Sequence, residues 1–132
     1  MDGATVQSTK PDNHAFVSEM LGEKKRLEDY PKRVDPDLIV HEPGSLPFGG
    51  TYRGFPEFTA FYDRVRRYYD FDTWRLTDVI GDNEIVVAFS QVQVAGRDTM
   101  MHIAERFRFR GARLVEVRVF ICDEPTGKTA SA

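Results

Sequence analysis

Two carboxylates, Glu42 and Glu105, stand where the surrounding residues are apolar. Leu38-Ile39-Val40 reads as a short buried strand that runs straight into Glu42. Pro43 and Gly44 stop it, because proline cannot donate to a ladder and glycine opens turn geometry. Pro47, Gly49 and Gly50 keep the next segment irregular until Phe55-Pro56-Glu57 opens a helix. An acid at the end of a buried strand, beneath a Gly/Pro-rich loop, is where a binding site is expected. Glu105 is singled out by strand alternation. Over 99–109 one face carries Met101, Ile103, Glu105, Phe107 and Phe109, so one carboxylate interrupts an apolar row. Such a group is costly as an anion unless it is neutralised or paired. The chemistry open to it is proton transfer. The plainer alternatives are an ion pair of Glu105 with Arg53 or another arginine, and a Glu42 that ties loop N–H groups near Thr51.

The elements that must position these acids follow from periodicity. Asp12 or Asn13 caps a helix with Phe16, Val17, Met20, Leu21 and Leu27 at 3, 4 and 7 spacing, which Gly22 weakens in its middle. Tyr30-Pro31 ends it, and Asp35-Pro36-Asp37 reads as a turn. A second helix runs from Pro56 to about Tyr69, with Phe58, Phe61, Tyr62, Val65 and Tyr68 or Tyr69 as an aromatic stripe. From 71 onward the pattern is strands at 72–80, 84–94, 99–109 and 114–122, joined by turn-rich segments, an antiparallel meander. In the last strand Val115, Val117, Val119 and Ile121 share one face. Residues 1–12 and 124–132 read as a flexible lead-in and tail around one domain, 13–123.

A formal charge of −3 over 132 residues argues against a nucleic-acid binder. The arginines at 64, 66 and 67 and at 106, 108 and 110 suit solvated faces better than a phosphate stripe. Met1–Asn13 lacks the basic-then-apolar pattern of a signal peptide, and no stretch is apolar enough to span a bilayer, so a cytoplasmic location is expected. His14, His41 and His102 lack metal-ligand spacing. His41 and His102 point to the outer sheet face as structural or interface residues. The lone Cys122 reads as a buried thiol. The face with Met100, His102 and Ala104 is too apolar for full solvation, which suggests cover by a second subunit, a homodimer.

This element order, with the stretch His41-Glu42-Pro43-Gly44-Ser45-Leu46-Pro47-Phe48-Gly49-Gly50-Thr51-Tyr52-Arg53-Gly54, resembles SnoaL-like proteins, a group that includes polyketide cyclases, within the nuclear transport factor 2-like superfamily. Arg106-Phe107-Arg108-Phe109 through Phe120 resembles the last hairpin of ketosteroid isomerases. The resemblance implies an α+β fold: a cone with N-terminal helices and one long helix packed on a strongly curved, mostly antiparallel sheet. It implies an apolar pocket lined by Val40, Tyr52, Arg53, Phe58, Phe61, Tyr62, Trp74, Ile103, Phe107, Val119 and Ile121, with no metal and no cofactor. Glu42 matches the general-base aspartate of a ketosteroid isomerase, and Glu105 its protonated oxyanion-hole acid; that enzyme is a known case of such carboxyl tuning. The isomerase's first-helix tyrosine is missing, since Ala15, Phe16 or Ser18 stands there. Tyr30 and Tyr52 are the candidates to replace it.

Three functions follow. The first is an isomerase or cyclase that moves a proton next to the carbonyl of a small hydrophobic compound, through Glu42 and Glu105. The second is a non-catalytic dimeric module that binds a hydrophobic ligand or a partner. The third, an epoxide hydrolase-like enzyme, lacks the Arg-x-Asp pair on one strand face that such chemistry implies.

Overall fold

Residues 12–123 are described by a computed structural model. Helix α1 spans Asn13–Gly22, and the Asp12 carboxylate caps it by accepting from the Ala15 N–H at 2.8 Å. The helix stops at Gly22, where the glycine weakens it, and Leu27 packs inward from a separate 3-10 turn, Leu27–Asp29. Strand β1 covers Val34–Glu42, so the expected turn at Asp35-Pro36-Asp37 lies inside a strand, where the pairing shifts register. Strand β2, Gly50–Arg53, pairs antiparallel with β1 and occupies part of the segment expected to be irregular. Helix α2, Gly54–Tyr68, buries Phe58, Phe61 and Val65 on one face.

The meander forms as the alternation requires: β3 Tyr69–Asp82, β4 Ile85–Val94, β5 Met100–Arg110 and β6 Arg113–Ile121. All six strands make one sheet in the order β2-β1-β6-β5-β4-β3, antiparallel except for the β1–β6 pair. Two register shifts in β3 and one between β5 and β6 break the ladder locally, the irregularities that let a sheet curve around a hollow. The shift at Arg108/Phe109 also corrects the expected parity of the last strand. It pairs Phe109 with Leu114, so Leu114 is fully buried and Val115 is not.

The loop after Glu42 folds under the sheet. Leu46 and Phe48 are buried, and the Gly49 N–H donates to the Leu46 carbonyl at 2.9 Å. A side chain on Gly49 would begin 2.3 Å from the Pro43 carbonyl oxygen, so only glycine closes this turn. Phe48 then meets the rings of Tyr68 and Tyr69 edge-on, at 5.4 and 6.0 Å between centroids. At the other side of the fold, the fully buried Asn13 donates to the carbonyls of Asn83 and Gly111 and accepts from Arg33. The first helix is thereby tied to both distal hairpin turns.

The expected flexible segments lie outside the described residues, apart from Asp12. No helix among the described residues is long and apolar enough to cross a membrane.

Candidate functional site

Between the concave face of the sheet and the two helices lies a cavity of about 490 Å³, the size that takes a drug-sized molecule. Strand register brings the two acids to it. Glu105 pairs with Ala88 on β4 and with Val119 on β6. On the other side of β6, His41 pairs with Arg118, and one step further along the parallel ladder Glu42 falls beside Val119. Val119 therefore stands between the acids, whose backbones are two strand spacings apart, about 10 Å. Both carboxyl groups border the one cavity. Each keeps some accessible surface, and that surface opens onto the hollow.

The electrostatics follow from these walls. Burial first, and then the nearby Glu105 charge, raise the Glu42 carboxyl to about 8. Burial alone raises Glu105 to about 7. No hydrogen bond or cation lowers either group, so neither the ion pair with Arg53 nor the loop-tying role of Glu42 is found. Because the two interact, they titrate as a pair.

Of the expected lining residues, Val40, Phe58, Phe61, Tyr62, Trp74, Ile103, Phe107 and Val119 border the cavity. Tyr52, Arg53 and Ile121 do not. Tyr52 stacks on the rear of Phe61 at 4.2 Å, and its hydroxyl donates to the Phe48 carbonyl. Arg53 is exposed, and its N–H is held by Glu57 at the start of α2. Ile121 closes the end of β6, opposite Ile103. Tyr30 meets Phe16 edge-on and is not part of the cavity wall, so neither candidate replaces the missing tyrosine.

Besides the expected Tyr62, two hydroxyls reach the wall: Ser90, which the sequence reading did not single out, and Tyr69, which it gave only as an alternative to Tyr68 in the helix stripe. Tyr69 is the first residue of β3, at the point where helical period gives way to strand alternation, so neither period assigns it a face. Ser90 lies opposite Ile103 and interrupts the buried row Val86, Ala88, Val92 and Val94. That is the same signal that picked out Glu105. Both hydroxyls are buried with no hydrogen-bond partner. Burial raises the Tyr69 phenol first, then the charges of Glu42, Tyr68 and Glu105, so Tyr69 lies within electrostatic reach of both acids.

His41 sits on the outer face, with Nε2 at 2.8 Å from Glu116 and Nδ1 at 3.2 Å from Thr51. His102 likewise meets Asp123 at 2.6 Å. Cys122 is exposed, not buried; it follows the last residue of β6, Ile121.

No protein-family model matches the sequence, and no curated protein matches it. Solved structures do. A nuclear transport factor 2-like protein from Burkholderia thailandensis superposes with a TM-score of 0.66 at 18% identity, covering 91% of each chain. One from Burkholderia pseudomallei, of unknown function, gives 0.62 at 21%, covering 86% of this chain and 88% of the other. A steroid delta-isomerase from Pseudomonas aeruginosa gives 0.63 at 18%, covering 89% and 82%. At these identities the likeness is one of fold. The protein has the α+β cone fold of the nuclear transport factor 2-like superfamily, the fold shared by a steroid isomerase.

Proposed function

We propose that the protein is an isomerase- or cyclase-type enzyme that moves a proton at a carbon next to a carbonyl, with Glu42 and Glu105 as its acid–base pair. One observation carries this reading: two carboxyl groups with no polar partner border a single apolar cavity, and burial brings both toward neutral pH. In the working state one member of the pair is ionised and the other holds its proton. The ionised carboxylate removes the proton from the α-carbon. The protonated one donates a hydrogen bond to the oxygen as negative charge develops there, and the new carboxylic acid then returns its proton at another carbon. Family position gives the base role to Glu42, while the lower value of Glu105 favours its ionising first. The Tyr69 hydroxyl is a further donor beside the pair and supplies what the first helix lacks.

Glutamine substitutions separate the roles, because glutamine can donate a hydrogen bond but cannot take a proton. Deuterium uptake from D2O into 2-tetralone, followed by NMR, reports proton transfer directly. Wild type is expected to exchange the α-protons above the buffer rate. E42Q is expected to lose about 10³-fold, and E105Q about 10-fold. The reverse order would move the base to Glu105. Exchange at the buffer rate in wild type would leave the second reading, a hydrophobic-ligand-binding module.

The outer sheet face fits a second copy of the chain. Phe89, Ala104 and Phe120 form one apolar row across three strands, and Phe120 is 43% exposed. Light scattering at micromolar concentration is expected to give a dimer, and a monomer would contradict this.

A further inference from the structure

The mouth of the cavity differs in charge from its interior. Lys24, Lys25, Arg26 and Arg66 all border it, against one acid, Asp29, besides the inner pair. Lys24, Lys25, Asp29 and Arg66 are exposed, which puts them at the opening. The acids near them are partly engaged. Asp29 accepts from the Arg26 backbone N–H at 3.0 Å, and Glu28 lies 3.0 Å from the Arg26 guanidinium. Even counting both acids, four cations face two anions, in a chain whose formal charge is −3. Lys24, Lys25 and Arg66 have no ion-pair partner among the described residues. Arg26 is held in place, its guanidinium 4.8 Å over the Tyr62 ring and its Nε buried without an acceptor. Tyr62 joins the two zones, since its phenol feels Glu105 from one side and Arg26, Arg66 and Glu28 from the other.

We infer that the cavity takes amphipathic anions, molecules with an apolar body seated inside and a carboxylate, sulfonate or similar anionic group held at the Lys24–Lys25–Arg26–Arg66 mouth. This names the substrate class of the proposed enzyme and rests on that reading for the word substrate. The binding claim stands on the charge layout alone. The layout also orients the ligand: the anion stays at the mouth beside these cations, and the neutral end reaches the inner acids. An anion pushed to the bottom would instead lose its hydration against apolar walls and face a carboxyl pair that repels it.

Two fluorescent probes that differ in a single charged group test this, 1-anilinonaphthalene-8-sulfonate and its neutral parent N-phenyl-1-naphthylamine. Wild type is expected to bind the sulfonate about tenfold more tightly than the parent in low salt. The preference is expected to fall below about threefold in about 0.5 M NaCl, where exposed charges are screened, and in the double variant K25Q/R66Q. Equal binding of the two probes by wild type, failure of both to bind, or a preference that survives the double variant would overturn the inference. The two claims fail separately. Loss of 2-tetralone exchange in E42Q with no sulfonate preference keeps the acid–base reading and removes this one. A sulfonate preference without exchange does the opposite.

Discussion

Asn13 and Glu105 are both polar side chains withdrawn from bulk water, and the fold treats them in opposite ways. Asn13, under the first helix, uses both amide hydrogens and its oxygen, on Asn83, Gly111 and Arg33. Arg33 in turn donates to the Ala112 carbonyl and lies 4.2 Å over the Phe16 ring. Every buried group there is matched, which is how a polar tie contributes stability. Around the inner acids the polar groups are unmatched. Glu105 and Glu42 have no partner that lowers their pKa, and the hydroxyls of Tyr69 and Ser90 donate to nothing. Such groups cost stability and are kept where a ligand supplies the missing partner. One region holds the fold together; the other holds capacity in reserve for a bound molecule.

The contrast is sharpest in single substitutions. Asn13→Ala strands two carbonyls and a guanidinium at once, and the expected loss in urea unfolding is about 3 kcal/mol. A loss under about 1 kcal/mol would mean that the tie is replaced by water.

At the wall the sign reverses. A carboxyl raised from 4.5 to about 8 or about 7 keeps its proton in the folded chain after the unfolded chain has released it. Stability therefore declines as pH rises from 4.5 to about 8, and is level above that. Each glutamine removes its own part of the decline and leaves that of the other acid. E42Q and E105Q are each expected to be about 2 kcal/mol more stable than wild type at alkaline pH and equal to it at acid pH. A destabilised glutamine variant at alkaline pH would break the comparison.

The smallest effects belong to the hydroxyls. Tyr69→Phe and Ser90→Ala remove unmatched groups, so stability is expected to move by less than about 1 kcal/mol, toward gain. Y69F is also expected to slow 2-tetralone exchange about tenfold with little change in binding. A stability loss above about 2 kcal/mol would mean that these hydroxyls are structural.

Much of this site was legible in the sequence, and the exceptions have physical causes. Glu105 could be found because a strand alternates strictly, so one acid in the row of Ile103, Phe107 and Phe109 is visible. Ser90 gave the same signal in β4, weakened because serine is small and common at either face. Tyr69 stayed an alternative to Tyr68 because it lies at the junction of helix and strand. Strand β2 was hidden because its four residues lie in a glycine-rich stretch and gain their structure only by pairing with β1. Tyr52 and Arg53 were placed at the cavity by the resemblance, but the turn closed at Gly49 directs Tyr52 behind Phe61. The charge of the mouth joins the end of α1 and the segment after it to the last turns of α2, a juxtaposition no local pattern carries.

The claim beneath the rest is that two acids meet in an apolar hollow with their protons held toward neutral pH. Titration of the protein with ¹³C-labelled glutamate carboxyls, followed by NMR and assigned with E42Q and E105Q, tests it directly. Two resonances are expected to titrate at about 7 and about 8, each absent from one variant, apart from the remaining glutamates. If every glutamate titrates below about 5, both acids are solvated and the account is wrong.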